Sequence, residues 1–187
     1  MTILALWLPI LLSAVLVFIV SSILHTVLPL HHHDFAKLPQ EDDLRADMRS
    51  RQVPPGNYVI PCPDSPSEMR TPEFRQKYEE GPVGFLYVLP SGPPAMGRAL
   101  VQWFVYSLVI GIFVAYLTSR TVEAGAPYWA VFRVAGATGF MCYALGAPID
   151  SIWMGRRWST TFKNLFDGLI YSLLVAGSFA GFWPGAS

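Results

Sequence analysis

The composition of this 187-residue chain is not that of an ordinary water-soluble domain, because 52% of its residues are hydrophobic and only 14% are charged. Its 13 Lys and Arg residues equal its 13 Asp and Glu residues, so the net charge argues against nucleic acid as a partner. The expected partner is the lipid bilayer. Other membrane proteins or a second copy of the chain are further candidates.

The charged residues lie mainly outside four apolar stretches, at residues 3–28, 99–118, 128–148 and 165–183. Each stretch is close to the roughly 20 residues that an α-helix needs to cross the hydrocarbon core of a membrane. They predict an all-α membrane protein with a four-transmembrane-helix bundle, in which residues 1–30 form helix 1 and residues 98–187 form helices 2–4. The first stretch lacks a basic leading segment and a small-residue cleavage site, which indicates a retained anchor rather than a secretory signal.

Residues 31–97, between helices 1 and 2, have the pattern of a small α/β cap. Acidic residues follow Pro39 and basic residues end the same segment, as a helix dipole favours. Thr71 is a candidate N-cap, with a proline at the first helical position after it. The predicted elements are, in chain order, a helix at about 39–52, a strand at about 57–60, a helix at about 71–80 and a strand at about 83–89.

The distribution of positive charge predicts the orientation in the membrane. The connection between helices 1 and 2 carries most of the Lys and Arg residues, and Arg156, Arg157 and Lys163 form a second group between helices 3 and 4. The positive-inside rule places both connections in the cytoplasm, which makes the cap cytoplasmic. The N-terminus and the C-terminal Ser187 are then outside.

Several polar residues are predicted to share one level near the cytoplasmic ends of the helices. Ionisable groups are costly inside a membrane, so such a cluster is either a structural lock between helix ends or a site for a ligand, an ion or a proton. We expect Asp167 to face inward and to pair with Arg156, Arg157 or Lys163, with Gln102, Tyr171 and His25 as candidate hydrogen-bond neighbours. The whole cluster comprises His25, Gln102, Asp150, Arg156, Arg157, Asp167 and Tyr171.

Arg133 is the deepest charge in the predicted membrane helices, about a turn and a half from the outer end of helix 3. It is expected to snorkel to the external headgroups or to lock the bundle, with a transport role as the alternative. Its candidate partners are Glu123, Tyr116, Thr118 and Ser178.

Three consecutive histidines followed by Asp34 suggest a metal site, because imidazole and carboxylate are good ligands for zinc, copper or nickel. Adjacent histidines, however, cannot all face one ion in regular structure, and no second cluster with ligand spacing follows. The sequence therefore predicts an interfacial polar collar, with no metal and no other cofactor. If a metal does bind, the candidate ligands are His31, His33 and Asp34, and His25 could contribute if its helix continues.

Motifs along nearly the whole chain resemble an uncharacterised bacterial family of small four-helix integral membrane proteins. The resemblance is carried by the apolar run 6–23 leading to residues 31–35, by the turn at 54–56 and by the segment 81–84. It continues through Ser151, Ile152, Trp153, Gly155, Arg156, Trp158, Ser159, Lys163, Asp167 and Gly168. The resemblance implies a bacterial inner membrane, and it implies no activity, cofactor or catalytic residue.

Two functional hypotheses remain for the chain. No nucleophile elbow, glycine-rich phosphate loop or HExxH motif occurs in the sequence, so we do not expect an enzyme. The leading hypothesis is a non-enzymatic scaffold or accessory subunit that binds other membrane proteins. The alternative is a small transporter or an ion- or proton-handling protein that uses the polar residues at the cytoplasmic level. The scaffold leads because transporters usually contain repeats, broken helices or midplane charges, none of which the sequence clearly shows.

Overall fold

The computed structural model of the protein describes residues 2–185 and is mostly helical. Its elements, in chain order, are α1 (Trp7–Thr26), α2 (Glu41–Ser50), β1 (Gly56–Ile60), α3 (Pro72–Glu80), β2 (Gly84–Val88), α4 (Met96–Thr121), α5 (Tyr128–Tyr143), α6 (Ala147–Trp153) and α7 (Trp158–Gly181).

Within residues 2–185, four helical segments are long and apolar enough to cross a membrane, which agrees with the four predicted stretches. They are Ile3–Thr26, Met96–Thr121, Tyr128–Trp153 and Trp158–Gly181. Length and composition therefore both indicate a membrane protein. The predicted outer terminus at Ser187 lies outside the described residues.

The sequence predicted one continuous helix over residues 128–148. The third of these segments is instead broken. α5 ends at Tyr143, residues 144–146 form turns, and α6 begins at Ala147. The break was not predicted from the apolar run, although Gly146 lies within it and Pro148 has no N–H to donate to the carbonyl of Ala144. A helix end of this kind leaves backbone carbonyl groups without their usual helical partners.

The long helices pack through small and apolar side chains. α1 contacts α4 and α7, and α5 contacts α4 and, most extensively, α7. A Cβ atom added at Gly111 would lie 3.2 Å from Cγ2 of Ile10, and one at Gly139 would lie 3.3 Å from Cα of Ser172. Such close approaches are expected where membrane helices meet, since apolar side chains pack equally well against lipid.

Residues 35–94, with 153–155, form a separate compact unit that contains the small sheet. β1 and β2 are antiparallel, with Gly56 opposite Val88 and Ile60 opposite Gly84. α3 begins as its sequence predicts, because the side chain of Thr71 accepts a hydrogen bond of 3.2 Å from the backbone N–H of Phe74. α2 spans Glu41–Ser50 and contains no buried residue.

Candidate functional site

The candidate site forms where the end of α1 meets α7. α1 ends at Thr26, and a short 3-10 helix, Pro29–His31, then returns the chain against α1 and α7. The imidazole ring of His31 stacks on that of His25, with ring centroids 4.3 Å apart and planes 5° from parallel. The turn therefore brings two histidines together that are six residues apart in sequence.

Asp167 supplies the buried carboxylate of the site and is only 3% exposed. Its Oδ2 atom lies 2.9 Å from Nε2 of His31 and 3.9 Å from Nε2 of His25. The closer pair is at ion-pair distance without the alignment of a hydrogen bond. Its Oδ1 atom has no hydrogen-bond partner within residues 2–185. A buried carboxylate oxygen in this situation carries a desolvation cost that a nearby cation would relieve.

Asp34 lies on the other side of the His31 ring. Its Oδ2 atom is 2.7 Å from Nδ1 of His31, and its Oδ1 atom accepts a hydrogen bond of 2.6 Å from Nζ of Lys163 and one of 3.4 Å from the hydroxyl of Thr160. Burial raises the pKa of the Asp34 carboxyl. The hydrogen bonds and positive charges of Lys163 and His31 outweigh burial and hold that pKa below its usual value of 3.8. Asp34 is therefore ionised at neutral pH and acts only as an acceptor.

These contacts assign the proton position on each imidazole ring in its neutral form. Nδ1 of His31 must donate to the ionised Asp34, and Nδ1 of His25 must donate to the backbone carbonyl of Ser21, 3.0 Å away. In each neutral ring the Nε2 atom then carries the lone pair. The ligand atoms of His25, His31 and Asp167 all lie within 4.8 Å of one another. Three electron-pair donors thus lie close together.

Aromatic residues continue the polar face of α7 beyond Asp167. Tyr171, one helical turn further along, packs against Tyr143 at 5.5 Å and Trp103 at 6.1 Å between ring centroids. The hydroxyl groups of Tyr171, Tyr143 and Ser107 are buried and have no hydrogen-bond partner within residues 2–185. Buried hydroxyl groups normally bind a protein group or water, so this region is suited to a polar ligand or water molecules.

The break in the third apolar segment lies directly against the site. A Cβ atom added at Gly168 would lie 2.7 Å from Cβ and 3.0 Å from Cα of Ala144, the first residue after α5. Gly168 immediately follows Asp167, so the absence of a side chain there allows the broken segment to approach the turn of α7 that carries the carboxylate.

Four residues of the predicted polar cluster lie away from Asp167. Gln102 is exposed, because α4 is rotated so that Ser107 is buried and Trp103 partly buried. Nη2 of Arg156 pairs with Oδ2 of Asp150 at 3.1 Å, and both side chains are more than 40% exposed. Arg157 is exposed at the start of α7.

The expected pairing of Asp167 with Arg156, Arg157 or Lys163 is therefore wrong. Lys163 binds Asp34 instead, and the short connection before α7 keeps Arg156 beside Asp150. The residues that contact Asp167 come from the end of the first helix and the turn after it.

Two further candidates also lie outside the site. His33 is exposed, whereas His31 is partly buried, so only one of the two adjacent candidates faces Asp167. Arg133 is exposed on α5, and no carboxylate among residues 2–185 lies within ion-pair distance of it. Its snorkelling to the headgroups stays a prediction.

Sequence reasoning did not find the chain of contacts from Lys163 through Asp34 and His31 to Asp167. Two spacings offered a signal: His31 and Asp34 are three residues apart, and Lys163 and Asp167 are four residues apart on α7. Nothing in either spacing shows that the two pairs meet, since 129 residues separate Asp34 from Lys163.

Comparison with known proteins adds no relative. No family model matches the chain, and neither does any curated protein or solved structure.

Proposed function

We propose that this chain is a cation-handling integral membrane protein, which binds a cation between His25, His31 and Asp167 and passes it into or across the membrane. The observation that supports this best is the buried carboxylate of Asp167. It faces two imidazole Nε2 atoms and, within residues 2–185, no Lys or Arg nitrogen lies within 4.0 Å of it.

The contrast between two aspartates separates this function from a purely structural lock. Asp34 is held by the permanent positive charge of Lys163, at 2.6 Å, as a lock requires. Asp167 is buried as deeply but has no permanent cation beside it. A buried carboxylate without a positive partner carries a desolvation cost even near the end of a membrane helix, so a mobile cation is the natural partner for Asp167.

The surroundings of the site also favour cation handling over the scaffold hypothesis. Ion sites of transporters are often formed where a membrane helix is broken, and the break between α5 and α6 lies against Gly168. The hydroxyl groups of Tyr171 and Tyr143 extend a polar surface from Asp167 along the packed helices. The scaffold function stays a prediction that no contact within the chain tests.

The orientation that we propose follows from charge. Arg156, Arg157 and Lys163 flank the start of α7, and the positive-inside rule then places the site at the cytoplasmic face of a bacterial inner membrane. The four apolar segments would form a transmembrane bundle, residues 31–97 a cytoplasmic cap, and both termini would be outside.

Cysteine labelling in intact cells tests this orientation. The native cysteines, Cys62 and Cys142, are both exposed and are first replaced by Ala. Single Ser65→Cys, Arg157→Cys and Glu123→Cys variants are then treated with a membrane-impermeant thiol reagent. We expect the reagent to modify position 123 only. Labelling at 65 and 157 but not at 123 would invert the proposed topology.

Transport measurements in lipid vesicles test the function. Inward gradients of protons, sodium, potassium, magnesium and zinc are imposed one at a time, with an indicator for each cation inside the vesicles. We expect one of these cations to enter about tenfold or more faster with the native chain than with Asp167→Asn. The matched control His33→Asn changes an exposed histidine and should behave as the native chain. Equal rates for the native chain and Asp167→Asn with all five cations would refute the function.

A further inference from the structure

We propose that the cation is a divalent transition-metal ion of the zinc class, bound by Nε2 of His25, Nε2 of His31 and the carboxylate of Asp167. This inference rests on the cation-handling function proposed above and names the class of cation. The sequence predicted no metal and offered His31, His33 and Asp34 as the alternative ligands. The structure assigns a different set: it keeps His31 and His25, which the sequence offered as a further contributor, and it has Asp167 in place of His33 and Asp34.

The donor atoms select the class of ion. Two imidazole nitrogens and one carboxylate oxygen suit zinc, nickel, copper or cobalt, whereas sodium, magnesium and calcium prefer sites built from oxygen alone. A zinc ion with bonds of 2.0–2.1 Å holds tetrahedral ligand atoms about 3.3 Å apart. The distances from Oδ2 of Asp167 to the two Nε2 atoms, 2.9 and 3.9 Å, lie on either side of that value.

The groups behind the two histidines are those that orient metal-binding imidazoles. A metal-bound histidine normally donates its other N–H to a carboxylate or a backbone carbonyl, which fixes the ring and the nitrogen that binds the ion. Asp34 accepts this hydrogen bond from His31, and the backbone carbonyl of Ser21 accepts it from His25. Lys163 in turn neutralises Asp34, so that Asp34 orients the ring without competing for the ion.

One ring must move for both histidines to bind the same ion. A ring nitrogen's lone pair lies in the ring plane, and the two planes are nearly parallel at a centroid distance of 4.3 Å. The side chain of His25 is 50% exposed, whereas that of His31 is 11% exposed and held from both sides. His25 is therefore the ring that tilts, and its exposed position gives an ion access to Asp167. Three protein ligands leave the fourth position of a tetrahedral ion open.

Metal titration of the full chain in detergent tests the inference. The chain is stripped with chelator and titrated with zinc alone by calorimetry, and cobalt is used to report tetrahedral geometry by absorption. We expect one ion per chain. We also expect His25→Ala and Asp167→Asn to weaken binding about tenfold or more, while His33→Ala leaves it unchanged. Because Asp167→Asn alters a buried side chain that also contributes to packing, the half-exposed His25→Ala variant is the decisive one.

Two results would overturn the metal site: absence of saturable zinc binding, or loss of binding in His33→Ala with retention in His25→Ala. The second result would indicate an adventitious ion on the exposed histidines. The transport assay remains a separate test. Saturable zinc binding without Asp167-dependent transport would support the metal site and refute the transport function. Asp167-dependent transport of sodium or protons without zinc binding would support the transport function and refute the metal site.

Discussion

Replacing Gly168 by Ala should destabilise the packing of the broken third segment against α7. The added Cβ atom would lie 2.7 Å from Cβ, 3.0 Å from Cα and 3.1 Å from N of Ala144. Ordinary van der Waals contact begins at 3.4 Å, so the two segments would have to separate by about 0.7 Å. Ala144 cannot relieve the overlap by changing a rotamer, because the contacted atoms are its backbone and its only side-chain atom.

The magnitude follows from two opposing terms. Overpacking of a well-filled contact costs about 1–3 kcal/mol. Alanine in a helix interior is favoured over glycine by up to about 1 kcal/mol. The net loss for Gly168→Ala is then up to about 2 kcal/mol, which corresponds to a melting temperature lower by up to about 8 °C for a chain of this size.

Gly177 provides a matched control in the same helix. A Cβ atom added there would meet only the hydroxyl oxygen of Tyr128, at 4.0 Å. Gly177→Ala should therefore keep the helical gain and be stabilised by up to about 1 kcal/mol. Both variants are measured by thermal and denaturant unfolding in the same detergent. Equal stability of Gly168→Ala and Gly177→Ala would refute the close approach of residue 144 to α7.

Two further substitutions test contacts that connect the helices. Lys163→Met leaves the carboxylate of Asp34 buried without its cation and should cost about 1–3 kcal/mol of unfolding free energy. Arg156→Met breaks an ion pair that is nearly half exposed and should cost less than about 1 kcal/mol. Equal costs in the unfolding assay would contradict the buried role of Lys163. Trp103→Phe removes the indole N–H that donates to the hydroxyl of Ser21 at 2.8 Å between α4 and α1, and should cost about 0.5–1.5 kcal/mol. A double-mutant cycle with Ser21→Ala measures this bond, and additive effects would show that it contributes nothing.

Features of the fold that depend on composition over many residues could be predicted from the sequence. The four apolar segments are long enough for hydropathy to define them, and local chemistry defined the start of α3 at Thr71. The break at residues 144–146 was not predicted, because apolar residues continue on both sides and Gly146 and Pro148 were taken for the end of the segment rather than for an interruption.

The rotation of each helix was harder to predict than its existence. Faces that contact lipid and faces that contact other helices are both apolar, so hydropathy alone does not tell which face is packed. One residue along a helix changes the direction of a side chain by about 100°. Gln102 was therefore expected to face the other helices. In the structure Gln102 is exposed, and its neighbour Trp103 is partly buried.

The site could be predicted only in part for a similar reason. Asp167 was expected to face inward, and it is buried. Its partner depends on how the chain turns after Thr26, and that turn is determined by tertiary contacts rather than by a local signal. His31 was therefore assigned to a polar collar, whereas it contacts Asp34 on one side and Asp167 on the other.

The separation of the site's residues along the chain has a consequence for biosynthesis. Asp34 and Lys163 are 129 residues apart, so at 5–20 residues per second the ribosome makes Lys163 roughly 6–26 s after Asp34. Throughout that interval the histidines and Asp34 have been made, but the lysine and carboxylate of α7 have not. A chain that fails to insert its last helix cannot complete the site. Cation binding at His31 would therefore report that the chain has been synthesised at least through Asp167 and that α7 has packed against the end of α1.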